Sequence, residues 1–238
     1  MHLRFDLLHL IVLLFVFQLV SANVCIKPNV YITQKISNEG FHREINWLIE
    51  VLEPTIESWE KTKCKVALRL DVPSGIYVNP DEINALNETE EVSFRISGKV
   101  DIEVPAHEAK EHKVYVYFNN AYINRISIDL PFHLRYQRSQ ITGGYGKVYL
   151  QKPSLLVWCE NNLNKICQKG LKVEAPCEHF SSKQCVWKNL SYDALFDDAD
   201  LFVPIGDLDH YPIVSIVSLL LGCAGSIYVL SILSMTPL

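Results

Sequence analysis

Residues 114–118 read Val-Tyr-Val-Tyr-Phe and residues 126–130 read Ile-Ser-Ile-Asp-Leu, and both runs repeat every two residues. Successive side chains of an extended strand point to opposite faces, so a period of two predicts a β-strand rather than a helix. The second run alternates apolar with polar residues, which is typical of a strand with one buried face. These two stretches therefore predict a β domain.

Short runs of the same kind lie on both sides of this pair. They are rich in β-branched and aromatic residues, and turn signals such as Asn38-Glu39-Gly40 and Gly143-Gly144 separate them. The runs occupy residues 30–36, 66–70, 92–96, 100–104, 148–150 and 155–158. Many short strands at nearly regular spacing favour a mainly β, antiparallel sandwich-like domain. Residues 41–52 are ambiguous, because their apolar positions also fit the spacing of a helix.

The two ends of the chain are more apolar than its middle. Residues 7–20 are almost wholly apolar and lead into Val20-Ser21-Ala22, which predicts a secretory signal peptide over residues 1–22. An uncleaved anchor is the alternative, but this run is shorter than the ~20 residues that cross a bilayer as a helix. Residues 213–233 carry no charge, and this predicts one transmembrane helix over residues 212–234.

These two segments predict a single-pass, type I membrane protein. We expect a lumenal β domain over residues 23–200, a juxtamembrane linker over 201–211 and a short cytoplasmic tail over 235–238. No Lys or Arg follows Lys188, so the orientation depends on the signal peptide rather than on the positive-inside rule. A cleaved GPI-attachment signal is the alternative for the C-terminal end. Residues 201–205, Leu-Phe-Val-Pro-Ile, are a poor match to the polar spacer that such a signal needs.

The net charge of the whole chain is −5, and the chain has no basic cluster, so nucleic-acid binding is not expected.

The cysteines of the predicted lumenal segment indicate a domain of the secretory pathway. The six cysteines outside the predicted span predict disulfides. They are Cys25, Cys64, Cys159, Cys167, Cys177 and Cys185, and Cys223 lies in the span. We expect Cys25 to pair with Cys64 and the other four to cross-link residues 159–185, although sequence alone cannot choose among the pairings.

Zinc coordination is the alternative role of the last four cysteines. Their spacings of eight, ten and eight residues are wider than the C-x₂₋₄-C pairs of structural zinc sites, so disulfides are favoured. Two sequons, at Asn87 and Asn189, predict N-glycosylation in exposed loops.

Few residues suggest catalysis. Asp198-Ala199-Asp200 and Asp207-Leu208-Asp209 match the D-x-D pattern of glycosyltransferases, but solvated acids beside a membrane linker are the simpler interpretation. The histidines outside the signal peptide show no metal-binding spacing, and we expect no metal and no cofactor. They are His42, His107, His112, His133, His179 and His210. The residues alone favour binding or complex assembly over catalysis, as in an accessory subunit or a cell-surface receptor or adhesion ectodomain.

Several segments, in this order, resemble those of the PIG-X family. The main ones are residues 72–80 (Val-Pro-Ser-Gly-Ile-Tyr-Val-Asn-Pro), 101–106 (Asp-Ile-Glu-Val-Pro-Ala) and 130–136 (Leu-Pro-Phe-His-Leu-Arg-Tyr). Shorter similarities occur at residues 40–43, 175–177 and 203–206. The family run often continues toward a proline after Arg-Tyr, whereas this chain continues with Gln137-Arg138-Ser139.

The resemblance implies a non-catalytic subunit of glycosylphosphatidylinositol mannosyltransferase I in the membrane of the endoplasmic reticulum. Its implied partner is PIG-M, the multi-spanning subunit that transfers the first mannose from dolichol-phosphate mannose to the GPI precursor. The motif residues either contact this partner or form the fold. These residues are Pro73, Gly75, Tyr77, Pro80, His133, Arg135 and Tyr136.

Overall fold

The computed structural model describes residues 27–53, 64–87, 91–119, 125–160 and 166–235. The predicted signal peptide, Cys25 and residues 236–238 lie outside them. The strands are β1 (Asn29–Ser37), β2 (His42–Glu53), β3 (Cys64–Val72), β4 (Ile76–Tyr77), β5 (Val92–Ser97), β6 (His112–Phe118), β7 (Arg125–Leu134), β8 (Gly144–Leu150), β9 (Ser154–Cys159), β10 (Leu171–Pro176), β11 (Gln184–Leu190), β12 (Asp193–Ala194) and β13 (Ala199–Ile205). The helices are α1 (Pro80–Leu86), a 3₁₀ helix (Leu208–His210) and α2 (Tyr211–Met235).

The strands form two larger sheets and one ribbon. The five-stranded sheet has the order β12-β1-β2-β7-β4, and the six-stranded sheet has the order β10-β11-β9-β3-β6-β5. All neighbours are antiparallel except β1 and β12. Strands β8 and β13 pair with each other as an antiparallel ribbon. The predicted mainly β domain is confirmed, and the ambiguous residues 41–52 lie in the long strand β2.

One hydrophobic core joins the inner faces of the two sheets. Trp47 and Phe132 come from the five-stranded sheet, Leu68 comes from the six-stranded sheet, and all three are buried. Val148 and Leu201 add the ribbon to the same core. Burying each such side chain contributes roughly 1.5–3 kcal/mol, so this shared core holds the layers together as a sandwich.

A second, smaller core lies on the other side of the six-stranded sheet. Trp187 and Tyr117 pack there beside the Cys177–Cys185 disulfide. The Tyr117 hydroxyl and the Trp187 Nε1–H both donate to the backbone carbonyl of Pro176. The chain after β10 therefore folds back over this face of the sheet.

The expected disulfide pairing is wrong for Cys64. This cysteine pairs with Cys159, because β3 and β9 are neighbours and their register puts the two residues directly opposite each other. The Cys177–Cys185 bond closes a short loop inside the segment where cross-linking was expected. Cys167 is also disulfide-bonded.

Two segments have a secondary structure different from the predicted one. Residues 201–205 were expected in a linker but belong to β13, where Leu201 and Val203 alternate into the core. Residues 100–104 were expected as a strand, but residues 102–104 form bends and residues 100–101 have no regular secondary structure. The Asp101 side chain accepts a hydrogen bond from the Glu103 backbone N–H at 3.1 Å, and this Asx turn replaces strand pairing.

Exposed loops were expected at the two sequon asparagines, but neither asparagine lies in one. Asn87 follows α1, and its side-chain amide bonds both the N–H and the carbonyl of Phe94 on β5. Asn189 is half-buried in β11. Glycosylation at these sites stays a prediction.

The C-terminal helix matches the predicted span. The most apolar 18-residue window of the helical segment Leu208–Met235 has a mean hydropathy of 2.3, and this window is not buried against the rest of the chain. At 1.5 Å per residue, α2 is about 37 Å long, which exceeds the ~30 Å of the hydrocarbon layer. This helix can therefore cross a membrane.

Candidate functional site

The segments singled out in the sequence meet at one end of the five-stranded sheet. Strand β4 pairs with β7 so that Tyr77 lies opposite His133, and β7 pairs with β2 so that His133 lies opposite His42. The neighbours Ile76 and Leu134 point into the core, which places the row of three rings on the outer face. We call Gly75, Tyr77, His133, Arg135 and Tyr136 the motif cluster.

The backbone around Gly75 leaves no room for a side chain. The Ile76 N–H donates to the Pro73 carbonyl at 3.0 Å, which closes a turn before β4. A Cβ atom at Gly75 would lie 2.7 Å from Cγ2 of Val148 on β8. The Gly75 carbonyl also accepts a hydrogen bond of 2.8 Å from the Arg135 N–H. Close packing against Val148 therefore favours glycine at this position.

Helix α1 follows β4 directly and has a well-formed N-terminus. The Asn79 side chain caps it by accepting from the Asp81 N–H at 3.0 Å, and Pro80 occupies the first turn. Proline suits this position because its missing N–H has no helical acceptor there. The carboxylates of Asp81 and Glu82 lie in the first turn, where the positive end of the helix dipole stabilises negative charge. This geometry brings the Glu82 carboxylate to His133.

Arg135 is the buried centre of the motif cluster, with only 3% of its surface exposed. Its guanidinium donates to the Val104 carbonyl at 2.7 Å and lies over the Tyr77 ring, 4.7 Å from the centroid. Burial lowers the pKa of Arg135, but a guanidinium stays protonated in proteins. Because the Ala106 N–H donates to the Tyr136 carbonyl at 3.0 Å, residues 101–106 are held against the end of β7.

The outer row of rings is closely packed. Tyr77 stacks on His133 with centroids 4.8 Å apart, and His42 meets His133 edge-on at 4.6 Å. The His133 Nε2 lies 3.1 and 3.2 Å from the two carboxylate oxygens of Glu82 and 3.3 Å from His42 Nδ1. Burial raises the pKa of Tyr77, the Arg135 charge opposes that shift, and the Glu82 charge adds to it.

The predicted motif residues therefore do different work. Pro73 and Pro80 shape the backbone, and most members of the motif cluster pack against one another. Tyr136 is the exception because it is 71% exposed, although its ring contacts Phe41 at 4.7 Å. Among the motif residues, Tyr136 is the one that a partner could contact most readily.

The D-x-D acids have structural contacts. Asp198 accepts hydrogen bonds from the Tyr149 hydroxyl and from the Lys152 N–H, and these two bonds lower the pKa of its carboxyl group. Asp200 forms an ion pair of 2.8 Å with Lys147 on the facing strand. Asp207 caps the 3₁₀ helix by accepting from the Asp209 N–H. These contacts are those of a ribbon and a helix start rather than of a sugar-nucleotide site.

Comparison with known proteins extends the similarity from the motifs to most of the chain. The PIG-X / PBN1 family profile matches residues 38–234, which include the motif cluster and nearly all of α2. The chain belongs to the PIG-X / PBN1 family. The resemblance of the sequence segments is thus confirmed.

Three mammalian relatives of this PIG-X / PBN1 chain are named "GPI alpha-1,4-mannosyltransferase I, stabilizing subunit". The human protein is 31% identical over 199 residues, which cover 81% of this chain and 75% of the human protein. The rat and mouse proteins are each 29% identical over 199 residues, covering 77% and 76% of their own lengths. In each comparison, the similarity therefore covers most of this chain and most of the relative.

The sequence alone missed several neighbours of the motif cluster in this PIG-X / PBN1 domain. His42 lies 91 residues from His133, and Glu82 lies 51 residues from it, so no local spacing connects them. The register of β2 and β7 brings His42 to His133, and helix α1, which follows β4, brings Glu82 to the same ring. The one local signal was Asn79-Pro80 followed by two acids, which is typical of a helix start.

Proposed function

We propose that this chain is the stabilising, non-catalytic subunit of GPI mannosyltransferase I. The observation that carries this function is the family match over residues 38–234, together with relatives named for this role across about three quarters of their length. The structural contacts of Asp198 and Asp200 fit an accessory role, because both acids of this D-x-D match are used within the fold. This assignment is favoured over that of a cell-surface receptor or adhesion ectodomain.

We further propose PIG-M as the partner and the endoplasmic reticulum membrane as the location. In this proposal residues 1–22 are a cleaved signal peptide, the β domain is lumenal and α2 crosses the membrane. The β domain extends to Ile205, and only residues 206–210 separate it from Tyr211. Five residues span at most about 18 Å, so the domain lies close to the membrane surface.

The outer face of the β8–β13 ribbon is the surface best suited to meet the partner. Tyr145 and Phe202 lie on it, 74% and 57% exposed, while the alternate residues Val148 and Leu201 point into the core. Exposed aromatic residues are enriched at protein interfaces. Because β13 leads into α2, this face is continuous with the membrane-spanning segment, where a multi-spanning subunit is within reach.

The proposed function is tested in cells that lack this chain. We expect the level of the catalytic subunit and the amount of GPI-anchored protein at the surface both to fall, and re-expression of the chain to restore them. Normal levels of both in the deficient cells would exclude the stabilising role. Glycans at either sequon should remain sensitive to endoglycosidase H, and resistance would contradict residence in the endoplasmic reticulum.

The ribbon surface is tested by a matched pair of substitutions. Phe202→Ser removes an exposed aromatic ring beside the membrane. Phe180→Ser removes one that is 87% exposed and follows β10 on the six-stranded sheet. We expect both variants to fold and only Phe202→Ser to lower the catalytic subunit level. Equal restoration by the two variants would move the contact away from the ribbon.

A further inference from the structure

We propose that His42, Glu82 and His133 form a binding site for a divalent transition metal ion, with Zn²⁺ as the best match. The three residues come from β2, α1 and β7, and their ligand atoms all lie within 4.8 Å of one another. This site is independent of the proposed function, because it follows from the local geometry alone.

Two of the three distances between the ligand atoms match those around one tetrahedral ion, and the third pair of atoms lies within 4.8 Å. Zn²⁺ is bound at 2.0–2.1 Å by histidine nitrogen and at about 2.0–2.2 Å by carboxylate oxygen, so neighbouring ligand atoms lie about 3.3 Å apart. The His42 Nδ1 is 3.3 Å from the His133 Nε2, and a Glu82 oxygen is 3.1 Å from the same nitrogen. Small side-chain rotations would therefore be enough to place an ion between them.

The chemistry of the three atoms also favours a cation. The His133 Nε2 carries at most one proton, yet it faces the His42 Nδ1 and both oxygens of Glu82 at hydrogen-bond distance. The His133 Nε2 therefore cannot both accept a hydrogen bond from a protonated His42 Nδ1 and donate one to Glu82, whereas a cation can bind all of these atoms. Imidazole nitrogen and carboxylate oxygen are common ligands of Zn²⁺, and two histidines with one glutamate form a known zinc ligand set.

The surroundings hold the ligands in place before an ion binds. His42 and His133 are opposite residues on paired strands, and the cap at Asn79 sets the first turn of the helix that carries Glu82. The Tyr77 ring stacks on His133 and is held on Arg135 in turn. Neighbours that fix a histidine ring strengthen metal binding.

The site is open enough to exchange an ion with solvent. His42 is exposed, whereas Glu82 and His133 are half-buried. Three protein ligands leave a fourth position for water. A bound ion would cross-link β2, β7 and α1 across the outer face of the sheet.

The test uses the full-length chain, purified in mild detergent without a polyhistidine tag and stripped of metal with EDTA. Zn²⁺ is then titrated in competition with a chromogenic chelator. We expect one Zn²⁺ per chain, and a rise in the melting temperature when Zn²⁺ is present. Binding at no more than the level of a His42→Ala, His133→Ala double variant would overturn the proposal.

Single substitutions separate the site from other surface histidines. Glu82→Gln keeps the size of the side chain and one acceptor oxygen but removes its charge, and we expect at least tenfold weaker Zn²⁺ binding. His107→Ala is the matched control, because His107 also faces a carboxylate, that of Glu108, at 3.4 Å. The control should bind Zn²⁺ as the unmodified chain does, and an equal loss in both variants would contradict the assignment.

Cobalt gives a second readout that loss of folding cannot imitate. Co²⁺ in the unmodified chain should show the strong visible absorption of four-coordinate cobalt, and Glu82→Gln should lose it while keeping its circular dichroism spectrum. Weak absorption, typical of six-coordinate cobalt, would contradict the tetrahedral geometry.

Discussion

Substitution of Gly75 by alanine tests whether the motif cluster acts through packing. An alanine Cβ would lie 2.7 Å from Cγ2 and 2.9 Å from Cγ1 of Val148. Carbon atoms in contact are normally about 3.5–4.0 Å apart, so one side must move by roughly 1 Å. Val148 is buried and β-branched, and its χ1 angle has few alternatives.

The expected cost follows from this overlap. Adding a methyl group to a well-packed core typically costs about 1–3 kcal/mol. In a domain of this size, 1 kcal/mol lowers the melting temperature by about 2–4 °C, so Gly75→Ala should lower it by about 2–12 °C. Val148→Ala alone should cost about 2 kcal/mol, because it removes two buried methyl groups and leaves a cavity.

The double variant separates packing from partner contact. The new methyl group at residue 75 enters the space that Val148→Ala vacates, so the double variant should be about 1–3 kcal/mol more stable than the two single costs predict. Unfolding of the full-length chain in mild detergent measures this coupling. Single costs that add to within about 0.5 kcal/mol would refute the packing argument.

The same variants can be expressed in cells that lack the chain. Recovery of the catalytic subunit level in the double variant would follow if Gly75 acts by packing alone. Recovered stability without recovered catalytic subunit would instead indicate that this segment contacts the partner.

Three further predictions concern other parts of the domain. Burial, helped by the charge of Arg135, lowers the pKa of His112 from 6.5 to about 4. As the pH falls, His112 is therefore protonated in the unfolded chain before it is protonated in the folded chain. The free energy of unfolding should therefore decrease by about 3 kcal/mol between pH 6.5 and pH 4. Urea unfolding of His112→Gln should show a weaker dependence of this free energy on pH than the unmodified chain does. Replacing Cys64 and Cys159 together by alanine should cost about 4–5 kcal/mol, because the bond closes a loop of 95 residues; a loss under 1 kcal/mol in thermal unfolding would contradict this. Asp198→Asn should restore GPI-anchored protein in deficient cells as well as the unmodified chain does, and loss of this complementation with normal protein levels would reopen a catalytic role.

The sequence predicted the class of the domain well because its signals are local. Period-two runs such as residues 126–130 report one strand and its buried face without reference to any neighbour. The long apolar run of α2 is equally self-contained. The error at residues 201–205 has a physical cause, since Leu201 and Val203 alternate in a run too short and too close to the span to be read as a strand.

Pairings between distant segments could not be predicted in the same way. The Cys64–Cys159 disulfide depends on β3 and β9 being neighbours, although the two cysteines are 95 residues apart. The row of His42, His133 and Tyr77 likewise depends on the register of three strands. Register is fixed by which faces are buried in the whole sandwich, and a single strand's pattern leaves its partner open.

The packing of the motif cluster bears on how a stabilising subunit can recognise its partner. Gly75 and Arg135 are buried, and Tyr77 and His133 are half-buried and stack on each other, so most of the motif residues form the fold. Contacts with a partner then depend on surfaces that those segments support. The ribbon is such a surface, because Val148 anchors β8 against Gly75 while β13 leads within five residues into α2. A domain fixed this closely to its membrane helix loses less conformational freedom on association than one on a long linker, which favours stabilising the partner.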